Sequence, residues 1–65
     1  MICGKCGQSD YESHYSEERG HYEGVAKCNG FDAEGKPCGR AITASAEDLG
    51  VLILLVEAEF ERVEK

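Results

Sequence analysis

No segment of this 65-residue chain is long and apolar enough to cross a bilayer: the longest apolar run, Val51 to Val56, falls far short of the roughly 20 residues a spanning helix needs. The first residues, Met1-Ile2-Cys3, offer neither a basic stretch nor an apolar segment, so no secretory leader is read and the expected location is the cytoplasm. Cations are few. Seven Lys and Arg stand against thirteen Asp and Glu, a net charge of −6, and binding to a polyanion depends on phosphate neutralisation by just those residues. Residues 1–43 carry five cations and seven acids, and residues 44–65 two cations and six acids, so both halves are acidic. No serine, histidine and acid stand in a recognisable nucleophilic pattern, so the chain is expected not to be an enzyme.

Residues 1–43 are also poor in aliphatics and rich in glycine, and cannot bury much apolar surface alone. At this length a hydrophobic core is marginal without a metal, disulfides or oligomerisation. Four cysteines supply the first of these: Cys3 and Cys6, with two residues between them, and Cys28 and Cys38 farther along. All-thiolate coordination suits a closed tetrahedral structural site, and one Zn2+ per chain is the expected cofactor. Two disulfides are disfavoured in a reducing cytosol. Iron in a tetrathiolate site is an alternative, and a redox pair at Cys3 and Cys6 lacks the strand-helix-strand surroundings such pairs occupy.

Cys3-Gly4-Lys5-Cys6-Gly7 has the form of a zinc knuckle, a tight turn that brings two thiolates to one ion. The nine residues between Cys28 and Cys38 exceed the usual gap, so residues 29–36 are read as a loop inserted into a second knuckle that ends in Cys38-Gly39. Lys5, Lys27, Lys36 and Arg40 all lie within two residues of a cysteine and are expected to offset the negative tetrathiolate centre. His14 and His21 are ligands by residue type, but four cysteines already complete the site.

Alternation over Tyr11 to Ser16 and His21 to Lys27 predicts a hairpin turning at Glu17-Glu18-Arg19-Gly20, with Tyr15 facing Tyr22, Ser13 facing Gly24 and Tyr11 facing Ala26. The tyrosines are expected to pack on a C-terminal helix rather than to stack bases, since glutamates surround them. Ser45 is the expected cap of that helix, over Ala46 to about Val63, with Leu49, Leu52, Ile53, Val56, Phe60 and Val63 on the buried face. A short central strand over Val51 to Val56 is the competing reading. Val51, Leu54, Leu55 and Ala58 fall on the other side of the helix, and a small sheet cannot cover both faces, so these four are the candidate partner-binding residues of a homodimer. Glu57, Glu59, Glu61 and Glu64 form an acidic rim expected to steer a basic partner.

The knuckle at Cys3 and Cys6, the tyrosine-bearing hairpin and the pair ending in Cys38-Gly39 together resemble the zinc-ribbon group over residues 3 to 40. Within that group the chain is faintly similar to the short phage late-gene transcription activators, with an early Cys-x2-Cys, a serine-rich hairpin and Tyr22 ahead of Cys28-Asn29. The resemblance implies zinc held by Cys3, Cys6, Cys28 and Cys38, and by analogy a viral or accessory regulator. The whole reading is therefore a small metal-stabilised α+β fold in one domain. Residues 1–43 form a zinc ribbon with a β-hairpin or three-stranded sheet and two knuckles, and residues 44–65 carry the helix. The expected function is a non-enzymatic protein-interaction module or regulator, an adaptor or inhibitor. The alternative is a transcription regulator touching nucleic-acid phosphate through its zinc end.

Overall fold

A computed structural model of the chain describes residues 1–63. Three antiparallel strands, β1 (Tyr11–Glu18), β2 (His21–Cys28) and β3 (Ala41–Ala46), form a sheet in that order and are followed by one helix, α1 (Leu49–Glu61). The expected α+β architecture, a ribbon-like sheet with four clustered cysteines and a C-terminal helix, is what the chain adopts. None of the described helices is long and apolar enough to cross a membrane.

The hairpin is tighter than expected. Glu17 and Glu18 belong to β1, opposite Tyr22 and His21, and the turn is only Arg19-Gly20. The register consequently moves by two, so that Tyr15 faces Gly24, Ser13 faces Ala26 and Tyr11 faces Cys28. An even shift keeps every side chain on its face, so Tyr11, Tyr15 and Tyr22 still lie on the helix side. Tyr15 and Tyr22 pack against the core, and the Tyr11 ring meets Phe60 of α1 at 5.6 Å between centroids.

The start of the helix also differs. Ala44, Ser45 and Ala46 continue β3 opposite Gly24, Glu23 and Tyr22, so Ser45 serves the sheet and the cap falls to Asp48, whose Oδ1 accepts from the Gly50 amide at 3.0 Å. Residues 51–56 are helical, not a strand. The helix ends at Glu61 rather than near Val63, which is 70% exposed. Leu52, Val56 and Phe60 are fully buried, in one cluster with Ala26, Cys3, Cys28 and Cys38. Leu49 and Ile53, expected inside, are exposed. A three-stranded sheet offers a narrow strip, and one residue per turn fills it.

Candidate metal centre

Each ligand stands where an element ends. Cys3 precedes and Cys6 ends the turn of residues 4–6 ahead of β1, Cys28 closes β2, and Cys38 precedes β3. The two knuckles follow one pattern. An amide two residues beyond the first cysteine donates to its sulfur, Lys5 to Cys3 Sγ at 3.4 Å and Gly30 to Cys28 Sγ at 3.3 Å. A glycine directly after the second cysteine, Gly7 or Gly39, then reverses the chain with φ of 78° and 70°, a conformation that side-chain-bearing residues rarely adopt.

The nine-residue gap before Cys38 closes on itself. Phe31 bridges Pro37, the Asp32 amide donates to the Lys36 carbonyl at 2.8 Å, and Asp32 Oδ1 accepts from the Glu34 and Lys36 amides at 2.9 and 3.0 Å. The Cys38 amide can then donate to the Gly30 carbonyl at 2.9 Å. The inserted loop therefore behaves as expected, folding outward so that Cys38 sits as it would in a short knuckle.

All four sulfurs lie within 4.8 Å of one another, with Cys3 to Cys38 at 3.8 Å and Cys6 to Cys28 at 3.5 Å. These separations are well beyond a disulfide bond of about 2.05 Å, and the cysteines are free. They match the spacing of about 3.8 Å that four thiolates take when each sits about 2.3 Å from a tetrahedral ion. Cys3, Cys28 and Cys38 are buried and Cys6 is half-buried. Among the described residues the cluster is made of these four cysteines alone. His14 faces Val25 and His21 faces Glu18 within the hairpin, and neither belongs to the cluster.

Burial pushes the Cys28 thiol up to about 12, reinforced by its cysteine neighbours, and burial likewise raises Cys38. Burial acts the same way on Cys3, but hydrogen bonds from the Cys6 and Lys5 amides and from the Cys38 and Cys6 thiols together outweigh it and bring that thiol down to about 7. A divalent cation at the centre inverts this balance, displacing thiol protons as it binds. The donor set, its spacing and its closure against water all fit a structural metal.

The cations near the cysteines have more varied uses than charge compensation. Lys5 Nζ donates to the Cys38 carbonyl at 3.3 Å, joining the knuckles. Arg40 is buried and its Nη2 donates to the Glu59 carbonyl at 2.8 Å, at the negative end of α1. Lys36 pairs with Glu34 at 3.6 Å on the surface, and Lys27 lies opposite Glu12. Gln8 was not legible as a contributor: its carbonyl accepts from the Cys3 amide at 2.8 Å and its Oε1 from the Phe31 amide at 2.7 Å, tying the knuckles together. No spacing rule marks such a residue.

Of the candidate partner residues, Val51 is 48% exposed, Leu54 66% and Leu55 41%, and Ala58 is exposed too. The acidic rim is partly engaged, since Glu59 pairs with Arg62 at 3.6 Å and Glu61 Oε2 accepts from the Ile2 amide at 3.0 Å. Glu64 of that rim lies outside the described residues. No protein family, characterised protein or solved structure matches the chain.

Proposed function

We propose that this chain is a non-enzymatic zinc-ribbon interaction module, a cytoplasmic adaptor or inhibitor. In this reading one Zn2+ per chain, held by Cys3, Cys6, Cys28 and Cys38, fixes the fold and does no chemistry. Zinc suits a closed four-thiolate site without an open coordination position. The chain acts as a homodimer through Val51, Leu54, Leu55 and Ala58, leaving acidic surface for a basic partner.

The observation that carries the reading is the uncovered apolar side of α1. Exposed apolar surface costs about 25 cal/mol per Å2, and large aliphatics gathered on one helix face mark an interaction site rather than scattered surface residues. Replacing Leu54 and Leu55 together with lysine is expected to give a soluble monomer with its metal retained. A dimer that survives this change contradicts the assigned interface.

The rival reading, nucleic-acid binding through the zinc end, draws on Lys5, Lys27, Lys36 and Arg40. Lys5 and Arg40 are committed to backbone carbonyls within the fold, which together with the net charge of −6 leaves little to neutralise phosphate. Retention on DNA at low salt that is lost on changing the surface residues Lys27 and Lys36 to alanine would favour the rival.

A further inference from the structure

The sheet has two edges of opposite character. β1 carries Glu12, Glu17 and Glu18, whereas Ala41 to Ala46 of β3 carry no charge and no proline. Proteins guard sheet edges with charge, proline, bulges or a covering segment. Among the described residues β3 pairs only with β2 and shows none of these guards.

One bond fixes which of its backbone groups are open. The Cys28 amide donates to the Arg40 carbonyl at 2.8 Å, making these residues a hydrogen-bonded pair. The alternation of an antiparallel ladder then makes Ala26 with Ile42, and Gly24 with Ala44, the next such pairs. The N–H and C=O groups of Ala41, Thr43 and Ser45 therefore face the open side.

The helix points to the same edge. Glu59, whose carbonyl accepts from Arg40 just before β3, marks the β3 flank of α1. Leu55 and Val51 lie one and two turns back on that stripe, while Phe60, against Tyr11, marks the β1 flank. Between Ala41 and Val56 only Glu47 and Asp48 are charged. In so acidic a chain this is where two copies approach with least repulsion.

We propose that β3 pairs antiparallel with β3 of a second copy about a two-fold axis at Thr43, merging two three-stranded sheets and packing Val51 and Leu55 of the two helices together. Thr43 then faces its own counterpart and Ala41 faces Ser45, each pair exchanging both backbone bonds. The two Thr43 side chains meet on the face away from the helices. The spacing lets both contacts form at once. α1 lies over β3 and β2, so with strands about 4.8 Å apart its axis stands about 5 Å from the two-fold. The two helices come about 10 Å apart, a distance at which helix side chains interlock. A two-fold contact of this kind closes at two copies. This inference rests on the self-association proposed above but assigns it different bonds.

The test is amide hydrogen exchange by NMR on the metal-loaded chain, at concentrations below and above the association midpoint set by sedimentation. Exchange of Thr43 and Ser45 is expected to slow at least about a hundredfold in the concentrated sample. Thr43→Pro, whose lost N–H points outward, and Thr43→Lys, which needs no backbone change, are both expected to yield folded monomers. A dimer whose Thr43 and Ser45 amides exchange as fast as in the dilute sample overturns the edge pairing and leaves a dimer through helix faces standing. Slowed amides in a dimer indifferent to lysine at Leu54 and Leu55 support the edge pairing and overturn the helix contact. A chain that stays monomeric at all concentrations overturns both.

Discussion

The Gly4 amide donates to the Phe60 carbonyl oxygen at 3.0 Å, so the first knuckle is docked on the C-terminal end of α1. The approach is close enough that a Cβ at Gly4 would overlap the Arg62 carbonyl. Metal site and helix are thereby one unit, although more than fifty residues separate them in sequence. Gly4→Ala is expected to destabilise the metal-loaded chain by about 1–3 kcal/mol, the usual cost of forcing extra volume into a tight contact. Chemical denaturation followed by circular dichroism measures it, and an unchanged midpoint would show that the knuckle and the helix are independent.

Removing the metal is expected to unfold the helix as well as the knuckles, because Leu52, Val56 and Phe60 share one buried cluster with Cys3, Cys28 and Cys38 and the first knuckle is hydrogen-bonded to the Phe60 carbonyl. A chelator should therefore abolish the helical circular dichroism signal, and zinc should restore it. Cys28→Ser and Cys38→Ser are expected to give the unfolded spectrum without any chelator. A helix that persists in either case would mean that the sheet folds without its metal.

The two candidate caps separate cleanly. Asp48→Ala removes the oxygen that accepts from Gly50 and is expected to cost about 1 kcal/mol. Ser45→Ala, in β3 on the face away from α1, is expected to leave helix content and the denaturation midpoint unchanged. The reverse ranking would return the helix start to Ser45.

His21 lies between the Arg19 carbonyl at 3.1 Å and Glu23 Oε1 at 3.3 Å, and its hydrogen bond to Glu23 raises its pKa above the ordinary value. A raised folded value means that protonation favours the folded state. The small stabilisation is complete below the unfolded pKa of about 6.5 and disappears as pH climbs through the folded value. Ring-proton NMR should show a midpoint above that of a free histidine, and Glu23→Gln should lower it. Equal midpoints in the two proteins would mean that the contact is not populated in solution.

Much of this architecture was legible because it depends on short-range chemistry. The cysteine spacing and the glycines after Cys6 and Cys38 announced two knuckles, and the alternation from Tyr11 to Ser16 put the tyrosines on the helix side even in the wrong register. What escaped depended on competition between distant segments. Ser45 carries a good capping side chain, yet pairing of Ala44 to Ala46 with β2 captured it first. The hairpin turn tightened because Glu17 and Glu18, polar enough to read as a turn, gain ladder partners in Tyr22 and His21. Gln8 and Arg40 bridge segments that meet only after folding, and neither position carries a local signature of that role.

Native mass spectrometry of the purified chain before and after chelation reports metal identity, metal count and subunit number together, and so tests metal-dependent folding and self-association at once. A dimer holding one zinc per chain is expected, falling to unfolded, metal-free monomers when the zinc is removed. A metal-free chain that remains folded, or a zinc-loaded monomer at every concentration, would contradict that expectation.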